Sequence, residues 1–295
     1  MNVFYTKTYN LSGKNAEKQN NIATVAKKMG FEEISFFKFE DQSDSDRELN
    51  VRMDGILAAV EENAVVIFQY PSMVSSRYDR CAIEHIRQSK DRKLILMVQD
   101  LGGAVDPKDY PMLADEIKLF QQADLLILQS VKMKDFLVEH GLGEVPVVYQ
   151  RVWEYPYGIY NDEVQVEKRL QTIEDISIPA LLDLQTGGVA VLEKKDDFYE
   201  AMGNPLETGF CICAGIPILA NEASGLGTFV SAYGIGFVIR ESEDAEARLQ
   251  KITEEQIADK TERMRKMKEM AGNGWFTRTL LQNAVFQVLE KQFRV

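Results

Sequence analysis

At 295 residues, 45% hydrophobic and 27% charged, the chain has the size and composition of a two-domain globular protein. Its formal charge of -12 repels phosphate backbones and anionic lipid, which excludes a broad basic face for nucleic acid or membrane docking. Three cysteines (Cys81, Cys211, Cys213) and two histidines (His85, His140) are too few for a disulfide framework or a His/Cys zinc site.

The chain opens Met1-Asn2-Val3-Phe4-Tyr5, without the charged and apolar regions of a signal peptide, and no apolar run approaches the ~20 residues of a membrane span. A cytoplasmic protein without membrane insertion is expected. Val3–Tyr5 reads as a strand, followed by the polar loop Thr8–Asn15. A helix is predicted over Ala16–Met29, with Ile22, Val25, Ala26 and Met29 on one face and Gly30 just beyond its end. Strand Ile34–Phe39, the acidic loop Asp41–Asp46 and helix Glu48–Glu62 follow. Ala64–Gln69 is a continuous apolar run of the kind buried on both faces of a parallel sheet. Helix Asp79–Ser89, strand Lys93–Val98, helix Asp109–Ala123, strand Leu125–Leu128, helix Val131–His140 and strand Val145–Val148 complete the first half. This alternation predicts a doubly wound parallel sheet, whose ligands bind at the strands' carboxyl ends.

The aromatic stretch Arg151–Gly158 suits a packed interdomain linker. The second half is shorter. It reads as a charged helix Asp162–Ile173, a short helix Ile178–Leu184, strand Gly187–Leu192, helix Asn204–Ala214 and strand Ile216–Ala220. Helix Leu226–Tyr233, strand Gly236–Ile239, a charged helix Thr253–Ala271 with few apolar anchors, and helix Trp275–Phe293 follow. The expected domains are 1–152 and 153–295, both Rossmann-like, the second carrying the final helix.

Asp100 ends an apolar strand. Its position suits a general base or polar ligand contact, and equally a helix cap or a structural hydrogen bond. Gly102-Gly103 lacks the further glycines of a dinucleotide fingerprint and reads as a plain loop. Cys211 and Cys213 lie in an apolar run and read as core side chains. No Gly-x-Ser-x-Gly elbow, P-loop or EF-hand is present.

The runs Asn50–Ile56 and Val66–Ser72, with Gln122-Ala123-Asp124, Ser130–Met133 and Trp153-Glu154-Tyr155, resemble the glucosyltransferase family of bacterial serine-rich adhesin glycosylation. Asn204-Pro205, Ala214–Ile218 and Gly234-Ile235-Gly236 continue the resemblance over nearly the whole chain. The resemblance implies a GT-B fold and transfer of a hexose from a nucleotide sugar, UDP-glucose, to a glycan or glycoprotein acceptor, which in the family is N-acetylglucosamine linked to a serine-rich adhesin. It implies no metal or resident cofactor, with the UDP-sugar as co-substrate. It implies an acceptor side at Tyr9, Gly13, Asn15, Gln69, Pro71 and Gln99 with Asp100 catalytic, and a donor side at Gly188, Asn204, Pro205, Glu207 and Ser224. A homo-oligomer or a partner glycosyltransferase is left open.

Family membership favours the enzyme, but there are three departures, of which the last two favour an alternative, a non-catalytic subunit that binds a partner transferase or the acceptor protein. Gln99 stands where the family often has His. Glu207 stands where it has a lysine able to pair with the diphosphate. At ~4 Å and an effective dielectric near 20, a like-charge contact costs about 4 kcal/mol. One strand–helix unit after Tyr155 is also missing. Weak binding of UDP is the expectation from these departures.

Overall fold

The computed structural model describes residues 2–102, 110–150, 152–159, 165–173, 176–183, 187–192, 202–203, 205–240 and 242–293. Six parallel strands form the first sheet: β1 (Val3–Tyr9), β2 (Glu32–Phe37), β3 (Val65–Tyr70), β4 (Lys93–Val98), β5 (Leu125–Leu128) and β6 (Val147–Tyr149). Their order is β2-β1-β3-β4-β5-β6, so the winding direction reverses between β1 and β3. β3 and β5 are buried along their whole length, as expected for strands covered on both faces.

The connecting helices are α1 (Gly13–Lys28), α2 (Asp46–Ile56), α3 (Ser76–Arg87), α4 (Tyr110–Phe120) and α5 (Val131–Glu139). Gly30 follows α1 with φ 80, in the left-handed region expected of it. α2 begins earlier than predicted because Ser45 and Glu48 form a reciprocal capping box. It ends six residues early, just past Gly55, whose low helix propensity favours a stop there.

The second sheet has four parallel strands: β7 (Leu170–Gln171), β8 (Val189–Val191), β9 (Ile218–Asn221) and β10 (Gly236–Ile239), in the order β10-β9-β8-β7. Its helices are α6 (Ile178–Asp183), α7 (Glu207–Ala214), α8 (Gly225–Tyr233), α9 (Ala245–Gln250), α10 (Glu254–Gly272) and α11 (Trp275–Phe293). Val189, Leu219, Phe237, Leu249, Ile252 and Ile257 form a core cluster here.

The charged helix predicted over Asp162–Ile173 is not formed by its described part. Residues 165–171 are extended, and Gln165 O and Arg169 O accept from Gly187 N and Val189 N. The alternation Val164-Gln165-Val166-Glu167 has period two, the strand pattern, which the high charge density masks. The fully charged look of α10 misleads in the same way. Ile257, Met264, Met267 and Ala271 are buried, and α10 packs against α7, whose eight residues are all buried.

The chain groups into two compact units. One holds Met1–Leu128, Lys134–Gln150 and Arg278–Val295; the other holds Gln129–Met133 and Arg151–Thr277. The final helix therefore groups with the first unit from Arg278 on, not with the second as its sequence position suggests. Its buried stripe Leu281, Ala284 and Val288 supplies the reason, since that stripe requires an apolar surface to cover it.

The linker is packed as expected. Val152, Trp153, Glu154 and Tyr155 are all buried, and a Cβ on Gly209 of α7 would stand 2.2 Å from Trp153 O. Only glycine lets the linker backbone lie that close to α7. Glu154 accepts from Phe276 N at 2.9 Å and Thr277 N at 2.5 Å, so it caps the free amides of α11.

Candidate functional site

In an open parallel sheet the strands' carboxyl ends beside the reversal form the ligand edge. In the first unit the carboxyl ends beside the reversal carry Tyr9 and Pro71, followed by Asp100 after β4 and, on the outermost strand, Gln150 after β6. Tyr9 stacks on Phe37 with ring centroids 5.3 Å apart and donates its hydroxyl to Glu33 at 2.7 Å. Glu33 also accepts from Tyr5 at 3.1 Å and Ser35 at 2.7 Å. Burial works to raise the Glu33 pKa, but the Ser35, Tyr9 and Tyr5 hydroxyls prevail and hold it below the ordinary value. Gly13, with φ 68, is exposed at the start of α1, and Asn15 is half-buried in the first turn.

Gln69 near the end of β3 and Gln99 directly after β4 are bonded to one another at these carboxyl ends. Gln69 donates to Thr6 O at 2.6 Å, and Gln99 donates to the Gln69 side-chain oxygen at 2.6 Å. Both are buried, and these bonds engage their amides within the protein. They are the scaffold that ties the ends of β1, β3 and β4 together. Gln19 of α1 extends it, accepting from Thr8 N at 2.8 Å and donating to Pro71 O at 3.4 Å. Pro71 is half-buried and follows Tyr70 through a cis peptide bond.

Asp100 is half-buried, and its Oδ1 accepts from Leu101 N at 3.0 Å. Two buried acids unmarked by any motif shape the loops on either side. Glu116 of α4 accepts from Tyr70 Oη at 3.0 Å and from Gly102 N at 2.9 Å. The Gly102 amide is thus already opposite a carboxylate, which suits the plain-loop reading; Gly103 lies outside the described residues. Asp79 of α3 accepts from Ser72 N with both oxygens, at 3.1 and 3.2 Å, and pins the loop that follows Pro71. Burial, opposed by the Ser72 hydrogen bonds, pushes its pKa up to about 7.

In the second unit, Ser224 caps α8. Its hydroxyl accepts from Gly227 N at 2.8 Å and donates to Asn221 O at 2.8 Å. A Cβ on Gly227 would stand 1.9 Å from Asn221 O, so the turn from β9 into α8 requires glycine there. Ser130, which follows β5, accepts from Met133 N at 3.1 Å and caps α5 while donating to Met202 O. A Cβ on Gly225, the first residue of α8, would lie 3.0 Å from Ser130 Cβ. The amino ends of α5 and α8 therefore converge, bringing together the positive ends of two helix dipoles.

The other donor-side residues divide. Pro205 is half-buried, and its carbonyl accepts from Thr208 N at 3.0 Å; Asn204 lies outside the described residues. Glu207 opens α7 and is buried, and its charge together with burial raises the Cys211 thiol. Gly188 precedes β8 and so lies at the amino edge of that sheet, opposite the ligand edge. A Cβ there would stand 3.0 Å from Arg169 O, so its small size serves strand packing. Among the described residues, no group of three or more His, Cys, Asp or Glu could hold a metal ion, and no helix is long and apolar enough to cross a membrane.

The Glucosyltransferase 3-like N-terminal domain matches residues 2–152, and the Glucosyltransferase 3-like C-terminal domain matches residues 169–284. The chain belongs to the Glucosyltransferase 3-like family. Glucosyltransferase 3 of Streptococcus gordonii is 27% identical over 334 residues, spanning 98% of this chain and 100% of the relative. Glucosyltransferase 3 of Streptococcus parasanguinis is 22% identical over 332 residues, spanning 98% and 99%. Both alignments are longer than the chain's 295 residues, so each relative carries segments without a counterpart here.

Among solved structures, sucrose-phosphate synthase of Thermosynechococcus elongatus is similar with a TM-score of 0.62 and 10% identity, covering 99% of this chain and 100% of that one. Anabaena HepE, solved in complex with UDP and glucose, is similar with a TM-score of 0.58 and 9% identity, covering 97% and 100%. The fold is GT-B-like, and family membership makes glycosyl transfer the class of function. The non-catalytic alternative is not favoured.

Proposed function

We propose that this family member transfers glucose from UDP-glucose to a glycan or glycoprotein acceptor in the cytoplasm. The convergence of the α5 and α8 amino ends carries this reading. A nucleoside diphosphate brings two negative charges, and helix-terminal amides at the positive ends of two dipoles are suited to receive them. No metal is needed in this reading, because the helix ends supply the neutralising charge. The names of the Streptococcus relatives and the UDP and glucose bound by HepE point to the same donor. Glu207 is buried and shares the dipole of α7, so the diphosphate is assigned to α5 and α8 instead.

The reaction needs a base for the acceptor hydroxyl. That oxygen attacks the anomeric carbon, the bond from that carbon to the diphosphate breaks, and UDP leaves as the anion. Asp100 is assigned to take the hydroxyl proton, since it is a half-buried carboxylate directly after β4 at the ligand edge. Tyr9, Pro71, Gly13 and Asn15 border the same edge and are assigned to the acceptor. Glucose transfer should fall by ~10²-fold or more in Asp100→Asn, with the unfolding temperature unchanged. Full activity in that variant would remove Asp100 from the chemistry.

A further inference from the structure

Four successive strands of the first sheet carry a glutamine at their carboxyl ends: Gln69 in β3, Gln99 after β4, Gln129 after β5 and Gln150 after β6. Gln69 and Gln99 satisfy one another and Thr6, as described above. Gln150 differs. It is 3% exposed, and among the described residues neither its side-chain nitrogen nor its side-chain oxygen has a hydrogen-bond partner. Its main chain is fixed, since Gln150 N donates to Leu128 O at 2.7 Å. A carboxamide held in place, out of water, with donor and acceptor both unmet is costly, and natural cores rarely keep one without a reason.

The position supplies a reason. Gln150 continues the outermost strand, β6, on the carboxyl side of the sheet, the side on which ligands of such sheets bind. A group that both donates and accepts is complemented by groups that do the same, and the vicinal hydroxyls of a pyranose ring are of that kind. We propose that the Gln150 carboxamide is a sugar-binding group that donates to one ring hydroxyl and accepts from another. This inference rests on the glycosyltransferase reading. The same chemistry could belong to the glucose of the donor or to the sugar of the acceptor, and experiment distinguishes them.

The test uses the full-length Gln150→Leu variant, similar in size and unable to hydrogen-bond. In the ligand-free protein, replacing an unsatisfied amide by an apolar side chain is neutral or stabilising, so the unfolding temperature should hold or rise. KM for one of UDP-glucose or an N-acetylglucosamine-bearing acceptor peptide should rise ~10-fold, with the other KM and the affinity for UDP unchanged. The affected substrate identifies whose sugar is held. A fall in unfolding temperature would show that the amide is satisfied within the protein, and would overturn the proposal. So would two KM values unchanged within about twofold. If the wild-type protein transfers no sugar, the function reading fails by itself. The Gln150 inference is then decided by saturation-transfer NMR with glucose, UDP-glucose and N-acetylglucosamine. Ring-proton signals lost in Gln150→Leu would support it, and signals absent from the wild type or kept in the variant would overturn it.

Discussion

Asp79 offers a prediction whose size follows from its surroundings. Its carboxylate is buried under the loop after Pro71 and hydrogen-bonded to Ser72, with Glu116 and Asp41 adding negative charge nearby. Burial raises its pKa from 3.8 to about 7, a difference worth about 4 kcal/mol between the two protonation states. Because the folded pKa is raised, this contribution is fully present below the unfolded value of 3.8 and is lost as pH rises to about 7. Stability should therefore fall across that window and level off above it. Asp79→Asn removes the titration but keeps an oxygen to accept from Ser72 N. At pH ~8 the variant should be more stable than wild type by about 4 kcal/mol, because the shift to about 7 already includes the Ser72 hydrogen bonds that oppose it. At pH ~4 the advantage should vanish. Urea unfolding of both proteins across this range measures the difference directly. Parallel pH profiles, or a variant weaker than wild type at alkaline pH, would refute the reasoning.

Two further outcomes follow from the second unit. Glu154→Ala leaves the Phe276 and Thr277 amides uncapped and should lower stability by about 2 kcal/mol, while Glu154→Gln recovers part of the loss; thermal unfolding of both variants checks this. Glu207→Lys places a buried cation at the positive end of α7, so its unfolding temperature should fall without any gain in UDP affinity by calorimetry. Tighter UDP binding in that variant would return the diphosphate to α7.

Where one local pattern dominates, the fold is legible in the sequence. Strands β4, β5 and β10 and helix α11 have the boundaries read from their hydrophobic runs, and Gly30 ends α1 as its type suggests. Charge misleads when tertiary contacts decide. The extended segment 165–171 looks helical because its charges hide the alternation of valines, and α10 looks solvated because its six buried residues are spread over about five turns. The site divides similarly. Asp100 and Ser224 announce themselves by following strands, and each lies in the loop after its strand. Glu116, Asp79 and Gln19 do not, since they come from helices and reach back to backbone amides 7 to 14 residues earlier in a strand or loop. Gln69 and Gln99 look like ligand contacts until their mutual hydrogen bond is seen, whereas the exceptional glutamine, Gln150, has the same local signature as the other three.

The central claim is that this chain is a working UDP-glucose-dependent transferase. Purified protein should be incubated with isotopically labelled UDP-glucose and a peptide bearing serine-linked N-acetylglucosamine, and the peptide followed by mass spectrometry. The account predicts addition of one labelled hexose with release of UDP, slowed ~10²-fold or more in Asp100→Asn. An unmodified peptide, from folded protein to which calorimetry shows neither UDP nor UDP-glucose binding, would contradict it.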